Sequence, residues 1–231
     1  PQHIALDSNG VPFFLHAAHR GLVNTAIDLD DKGKKLSMTT ALAGEDGHLW
    51  LEKHGEEIIR LFASETIRLI HWHQLPPGKK AAYYNPVVRT KIKDGEFVRR
   101  VRGVIGGDQI VYEGDTAAHT ASMQLIKLLL NSVVSDTDAK FMTADIKDFY
   151  LGTPLPTTEH MRIKLEHIPQ HVVDTYDMAK YAHNGAVVVE VLKGIYGLPQ
   201  AGILAQDRLV KHLATYGYIH SVMSATPCHS P

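Results

Sequence analysis

Hydrophobic and polar positions along the chain recur with the periods of helices and strands. After Gly47, a helix is predicted whose charged residues, Glu57 among them, lie mostly opposite an apolar face of Leu51, Ile58, Leu61 and Phe62. Further helices are predicted over 116–135, 172–181 and 200–216, and strands over 66–72, 87–92, 97–105, 140–146, 161–165 and 186–192. Strands and helices mix without strict β-α-β alternation, which predicts an α+β fold.

The tetrapeptide Lys93-Asp94-Gly95-Glu96 joins two of these predicted strands. Asp-Gly between two alternating runs is a strong signal for a tight hairpin turn. We therefore expect strands 87–92 and 97–105 to pair with each other.

The first 46 residues show little periodicity. They contain a charged, glycine-containing stretch at 28–35 and one short candidate strand at 11–15. Such composition is typical of a linker. We interpret residues 1–46 as a poorly structured linker and residues 47–231 as the folded part of the chain.

Composition excludes several classes of protein. The chain has 231 residues, of which 44% are hydrophobic and 21% charged, and its formal net charge is -1. These values are ordinary for a globular protein and exclude a fully disordered or collagen-like chain. No apolar run approaches a membrane span, no secretion signal opens the chain, and the one cysteine, Cys228, has no internal partner. We expect an intracellular protein that does not bind membranes.

Positive charge is concentrated on the predicted hairpin. Residues 79–107 contain eight lysines and arginines but only two acidic residues. A patch of this kind suits contact with phosphate groups or nucleic acid. The alternative is a solvated hairpin whose cations protect an edge strand from pairing.

A second candidate site begins at Asp145, at the end of the predicted strand 140–146. A carboxylate at the end of a strand, followed by a tight turn, can hold an oxygen ligand for a divalent cation. Asp148 follows three residues later and approaches the same face if a helical turn begins at Asp145. The alternative is that Asp145 caps a helix.

A third candidate is the loop 193–202, which leads into the last predicted helix. Three glycines, Pro199 and Gln200 make a loop in which the backbone or the amide side chain can approach a ligand closely. No Gly-Lys-Ser/Thr triplet follows, so the loop is not a P-loop. An ordinary connection between strand and helix is the alternative.

Taken in order, these segments resemble motifs of the reverse transcriptases of copia-type LTR retrotransposons. Arg100-Val-Arg102-Gly-Val-Ile-Gly-Gly107 resembles the fingers segment Lys-Ala-Arg-Leu-Val-Ala-Arg-Gly of that family. Asp145-Ile-Lys-Asp-Phe-Tyr-Leu-Gly152 resembles polymerase motif A, Asp-Val-Lys-Thr-Ala-Phe-Leu-Asn-Gly. Tyr196-Gly-Leu-Pro-Gln-Ala201 resembles motif B, Tyr-Gly-Leu-Lys-Gln-Ala. The resemblance extends over residues 47–224.

The resemblance implies the fingers and part of the palm of a right-hand polymerase. The implied enzyme is an RNA-directed DNA polymerase that uses two magnesium ions, with an RNA or DNA template-primer and deoxynucleoside triphosphates as partners. By position, Asp145 is the catalytic metal ligand and Ile146 adds its carbonyl oxygen. The implied nucleotide-binding residues are Arg100 and Arg102 at the triphosphate, Tyr150 as the steric gate against ribose, and Gln200 beside the incoming nucleotide. The further nucleic-acid-binding candidates on the hairpin are Lys91, Lys93 and Arg99.

One motif of the family is not found. Motif C, which supplies two further carboxylates, is expected after residue 224, and the only Asp-Asp pair is Asp30-Asp31 in the predicted linker. We therefore expect this chain alone to be catalytically inactive, and an incomplete palm to leave an open sheet edge that offers a route to dimerisation. The resemblance further implies an origin in a pol polyprotein, whose remainder is a partner, and a location in a cytoplasmic particle or the nucleus. The alternative hypothesis is a non-catalytic retroelement remnant that binds nucleic acid or a protein partner.

Overall fold

The structure is a computed structural model that describes residues 36–93, 96–118, 120–139 and 142–218. At residues 91–93, 96 and 97 only the backbone is described. The candidate strand 11–15, the Asp30-Asp31 pair, the turn Asp94-Gly95 and Cys228 lie outside the described residues.

The described residues form an α+β fold, which confirms the predicted fold class. The strands are β1 (Ile67–Ile70), β2 (Ala82–Lys93), β3 (Glu96–Ile105), β4 (Pro154–Lys164) and β5 (Ala186–Lys193). The helices are α1 (Met38–Ala43), α2 (Gly47–Ala63), α3 (Met123–Ser135), α4 (Gln170–Thr175) and α5 (Ala201–Ala214). Short 3-10 turns occupy Trp72–Gln74, Gly107–Gln109, Leu165–His167 and Met178–Tyr181.

The five strands form one mixed sheet in the order β1-β5-β4-β2-β3. Strands β2 and β4 run parallel, and the other neighbours are antiparallel. Along β5, Val187, Val189 and Val191 are buried while the residues between them are half-buried. This alternation shows that one face of the sheet is in the core, where Ile58 and Leu61 of α2 belong to the same hydrophobic cluster.

The predicted helix after Gly47 is confirmed as α2, with two differences in detail. Gly55 fits within it because a Cβ atom there would lie 2.8 Å from Pro169 Cγ, so the glycine permits close packing. Glu57 was predicted on the polar side but is only 5% exposed. Its carboxylate accepts hydrogen bonds from the Arg60 side chain and from the Gly103 backbone N–H at 2.8 Å, which offsets the cost of burial.

The predicted hairpin is also confirmed. Strands β2 and β3 pair antiparallel, with Val88 opposite Val101, Arg89 opposite Arg100, and Lys93 opposite Glu96. Val88 and Val101 are buried against the helices, and the residues beside them in sequence therefore point to the other face.

Helix α1 lies within residues 1–46, which we interpreted as a poorly structured linker, and shows that Met38–Ala43 of that stretch are folded. Ser37 caps this helix by accepting a hydrogen bond from the Thr40 backbone N–H at 3.1 Å. Met38 and Ala41 are buried in a small cluster with Trp50 of α2 and two hairpin valines. The folded part therefore begins at least eight residues earlier than position 46.

Other predicted boundaries shift, and one predicted strand is wrong. The helix expected over 116–135 begins at Met123, because Ser122 caps it, and none of its residues is buried. The helix expected over 172–181 is divided at Asp177, which has a φ of 50°. A strand was expected over 140–146. Residues 142–146 are irregular, and residues 140 and 141 lie outside the described residues. Within the part of the chain that is described, no helix has the length and apolarity needed to cross a membrane.

Candidate nucleotide and nucleic-acid interface

The loop that resembles motif B lies directly against the end of β3. The Ile105 N–H donates a hydrogen bond to the Tyr196 carbonyl oxygen at 2.9 Å, and Val104 and Tyr196 form an isolated parallel bridge. Gly197 has a φ of +94°, and a Cβ atom there would overlap the Ile105 carbonyl oxygen. Only glycine satisfies both conditions, so this residue allows the loop to dock.

The segment that resembles motif A reaches the same loop. The Gly194 N–H donates to the Thr153 carbonyl oxygen at 2.7 Å. A Cβ atom at Gly194 would lie only 2.7 Å from the Tyr150 carbonyl oxygen. The turn after Asp148 is fixed further by Arg208 of α5, whose guanidinium donates to the Gly152 carbonyl oxygen.

Three side chains from the three segments meet at this point. The Arg102 guanidinium carbon lies 4.5 Å from the centroid of the Tyr196 ring. The Tyr196 ring in turn meets the Tyr150 ring edge-on, with centroids 5.2 Å apart. Arg102, Tyr196 and Tyr150 are called the Arg102 cluster below. It combines a cation with two aromatic rings, which suits a ligand that carries both phosphate and a ring.

Arg102 has a donor that its protein neighbours do not use. Its Nε atom is buried and makes no hydrogen bond to any described residue. Arg100 lies two positions before Arg102 on β3 and pairs with Arg89 of β2. All three arginines belong to the strand face that points away from α2. This face therefore carries several guanidinium groups on two paired strands.

Arg99 lies on the opposite face of β3 from Arg100 and Arg102. It forms an ion pair with Asp46, and its guanidinium carbon lies 5.8 Å from the centroid of the Trp50 ring. Arg99 therefore joins the hairpin to α2. The side chains of Lys91 and Lys93 lie outside the description, and their backbones pair with Val98 and Glu96.

Gln200 is buried at the start of α5. It is 2% exposed, and its Oε1 atom has no hydrogen-bond partner among the described residues. The side chain lines a cavity of about 280 Å³ together with Lys79, Tyr112 and Glu159. Burial raises the pKa of Glu159, while Lys79 opposes that shift. An unpaired buried acceptor at the wall of a cavity suits a ligand that donates hydrogen bonds.

The two acidic residues of the motif A segment lie in different environments. Asp145 is exposed on the irregular segment 142–146, and Ile146 beside it is also exposed. Asp148 is half-buried and forms an ion pair with Arg60, which also binds Glu57. The ion pair between Asp148 and Arg60 thus connects the turn at 147–150 to α2. We expected a buried strand that presents Asp145, and this is wrong for residues 142–146.

The described residues do not fit a two-magnesium centre. Among them, no group of three or more His, Cys, Asp or Glu side chains is arranged to hold a metal ion. Asp145 and the Ile146 carbonyl supply at most three oxygen atoms, whereas octahedral coordination of one magnesium ion takes six.

Two features of the site are not predicted from the sequence. Tyr196 belongs to the motif B resemblance, but its contact with Arg102 depends on how the loop docks on β3. Glu57 and Arg60 are three residues apart on one helix, which is a signal for an ion pair, yet their connection to Asp148 joins positions 88 residues apart.

The family of this chain is not established by similarity. Comparison with protein-family models, with curated proteins and with solved structures found no match. The motifs in the sequence and the geometry of the described residues are therefore the grounds for assigning a function.

Proposed function

We propose that residues 47–231 are the fingers and part of the palm of an RNA-directed DNA polymerase of the copia retrotransposon type. The observation that supports this is the Arg102 cluster, in which Tyr196 contacts both Arg102 and Tyr150, so that one ring joins the three motif-like segments. These residues are far apart in sequence, and convergence of this kind is expected where they share one ligand.

In this proposal the Arg102 cluster binds the incoming deoxynucleoside triphosphate. Arg102 and Arg100, which lie on the same strand face, bind the triphosphate oxygens. Tyr150 is the wall against the 2′ position of the sugar, and Gln200 contacts the nucleotide from the adjacent loop. The basic hairpin holds the template-primer through its phosphates.

The chemistry of the proposed enzyme is attack of the primer 3′-hydroxyl on the α-phosphate, with pyrophosphate as the leaving group. What the described residues contribute is binding of phosphate charge and orientation of the nucleotide. Magnesium belongs to the proposal for the complete polymerase centre, and that centre needs ligands in addition to Asp145 and Ile146.

Discrimination between deoxynucleotides and ribonucleotides tests the proposal. Bound to a primer-template, the protein should bind dTTP more tightly than UTP in a competition titration. Tyr150→Ala should remove that preference because it removes the wall, and Tyr150→Phe should keep it because it retains the ring. Equal affinity for dTTP and UTP in the unaltered protein would contradict a polymerase nucleotide site.

A second candidate function is a nucleic-acid-binding module without catalysis. It is favoured by the exposure of Asp145 on irregular backbone and by the lack of a metal-binding cluster among the described residues. Such a module would bind a primer-template with salt-dependent affinity but show no preference for dTTP over UTP. The competition titration therefore separates the two candidates.

A further inference from the structure

An exposed tryptophan lies far along the sequence from the motif-like segments. The sequence context of Trp72 favours packing within a strand, but β1 ends at Ile70 and Trp72 begins a 3-10 turn. The side chain is 55% exposed, and its ring stacks on His183 with centroids 4.7 Å apart and planes 20° apart. One broad face of an aromatic pair is thus presented at the surface.

Trp72 and His183 form one wall of a groove, called the Trp72 groove below. The groove has a volume of about 400 Å³ and is lined by Trp72, His183, Lys79, Lys80, Arg162 and Val188, among others. Pockets that hold small ligands range over about 300–1,000 Å³, so the groove has room for a nucleotide unit.

The charge of the Trp72 groove is positive. Lys79, Lys80 and Arg162 are all exposed at its walls. On the same sheet face, Glu190 is paired with Arg68 at 2.6 Å, so its charge is already balanced. Glu159, near Lys79, is half-buried, and burial raises its pKa. An anionic ligand is therefore favoured over a cationic one.

The aromatic surface continues beyond the Trp72 groove. His73 lies edge-on to Trp72 with ring centroids 6.3 Å apart, and His71 stacks on His73 at 5.3 Å. The rings of His71, His73, Trp72 and His183 thus form a row rather than a single platform. A row of rings beside cations suits a chain of bases joined by phosphates more than one isolated nucleotide.

We propose that the Trp72 groove binds single-stranded nucleic acid, with one base stacked on the Trp72–His183 pair and adjacent phosphates at Lys79, Lys80 and Arg162. A single strand is required because bases in a duplex are already stacked on each other and do not expose their faces. Lys79 also lines the cavity that contains Gln200, so the groove adjoins the predicted nucleotide site. The inference holds for either candidate function, since it uses residues outside the Arg102 cluster.

Tryptophan fluorescence provides a direct test. The chain contains two tryptophans, and Trp50 is only 6% exposed, so quenching by a stacked base reports on Trp72. We expect oligodeoxythymidylate of about 12 nucleotides, a length within known single-strand site sizes, to quench this fluorescence. Trp72→Ala should remove the quenching and weaken binding about tenfold or more. Tyr216→Ala, which removes another exposed ring, should change neither, and circular dichroism should show both variants folded.

Salt dependence tests the phosphate contacts. Arg162→Gln should lower the dependence of the logarithm of the affinity on the logarithm of salt concentration by about one. Arg68→Gln is the matched control, because Arg68 lies on the same sheet face but is paired with Glu190. Equal effects of the two substitutions would overturn the assignment of Arg162.

Two competitions complete the test. A blunt duplex of the same length should displace the oligonucleotide less well than unlabelled single strand, and so should polyglutamate. Equal displacement by duplex would overturn single-strand binding, and equal displacement by polyglutamate would show a general polyanion surface instead. Quenching that survives Trp72→Ala would overturn the proposal. The loss of dTTP preference in Tyr150→Ala does not depend on the Trp72 groove. Failure of the single-strand proposal can therefore be distinguished from failure of the polymerase proposal.

Discussion

The guanidinium group of Arg102 covers the ring of Tyr196 at 4.5 Å, and this contact joins β3 to the loop before α5. The Arg102 Nε is buried and has no hydrogen-bond partner among the described residues. The ring of Tyr196 also contacts the ring of Tyr150 edge-on. One arginine thus contributes both to the stability of the loop and to the proposed nucleotide site.

Arg102→Lys should separate these two contributions. A lysine keeps the charge but loses the planar group, so unfolding free energy should fall by about 0.5–1 kcal/mol. Affinity for dTTP should fall by about tenfold, the size of one charge-assisted hydrogen bond. The measurements are urea unfolding and dTTP titration.

Arg99→Lys is the matched control for that variant. Arg99 also lies over an aromatic ring, that of Trp50, but on the opposite strand face. Arg99→Lys should lower the unfolding free energy by a comparable amount and leave the affinity for dTTP unchanged. A similar loss of affinity in both variants would show that charge on the hairpin, not the Arg102 cluster, governs nucleotide binding.

Gly197→Ala should undock the loop from β3. An alanine there meets both an unfavourable positive φ and overlap with the Ile105 carbonyl oxygen, so we expect a loss of more than about 3 kcal/mol in unfolding free energy. Gly185→Ala tests the unfavourable positive φ without the overlap, because Gly185 has a φ of +70° and no atom lies within 4 Å of the added carbon. That variant should lose only about 1 kcal/mol. Equal losses in urea unfolding would mean that the loop does not dock as described.

Glu57→Gln should destabilise the connection between α2, the hairpin and the turn at Asp148. The buried carboxylate accepts hydrogen bonds from Arg60 and Gly103, so loss of its charge should cost about 1–3 kcal/mol. Glu56→Gln, at the next position, affects an exposed pair with Lys53 at 2.6 Å and should cost less than about 0.5 kcal/mol. Urea unfolding of the two variants measures the difference, and the prediction fails if they are equally stable.

Stability should fall as the pH falls below 6.5, in part because of His54. The His54 Nδ1–H donates to the His167 carbonyl oxygen at 2.6 Å, and Nε2 accepts from the Tyr84 hydroxyl at 3.0 Å. Burial lowers the pKa of His54 below 6.5, so below that pH the unfolded chain binds the proton more readily than the folded one. The stability is fully present above pH 6.5 and is lost as the pH falls toward the lowered pKa.

His54→Gln should therefore reduce the slope of unfolding free energy against pH in this range. Some slope should remain, because burial also lowers the pKa of His160. His48→Gln is the control, since His48 is exposed on the same helix. If the two substitutions reduce the slope equally, His54 is not the buried neutral histidine described here.

Local patterns in the sequence predict the hairpin and most of the sheet. The Asp-Gly pair and the alternation on either side of it are sufficient to predict the pairing of β2 with β3. The β-branched run in β5 likewise predicts a buried strand, and Val187, Val189 and Val191 are buried there. These elements depend on turn chemistry and on alternation within a few residues.

The elements that sequence reasoning missed depend on distant packing. Helix α1 has six residues, too few to be stable alone, and is stabilised by burial of Met38 and Ala41 beside Trp50. The strand predicted over 140–146 is irregular at residues 142–146, because a strand also needs a partner that local sequence does not specify.

The candidate site was predicted only in part, because its side chains come together through packing between residues that are distant in sequence. Alternation along β3 separates Arg99 from Arg100 and Arg102, whereas counting positive charge over 79–107 groups them together. The contact of Arg102 with Tyr196 joins positions 94 residues apart, and no local pattern encodes it. The motif resemblance points to the loop 193–202 but does not predict the contact between the Tyr196 ring and the Arg102 guanidinium.

Photocross-linking of a nucleotide analogue tests the central claim most directly. An azido-dATP would be bound to the protein on a primer-template whose next template base is thymine, and the modified peptides would be identified by mass spectrometry. The polymerase proposal predicts adducts within 100–107, 145–152 and 194–202 that unmodified dATP suppresses much better than ATP. Adducts spread over other surfaces, or equal suppression by dATP and ATP, would contradict a deoxynucleotide site at the Arg102 cluster.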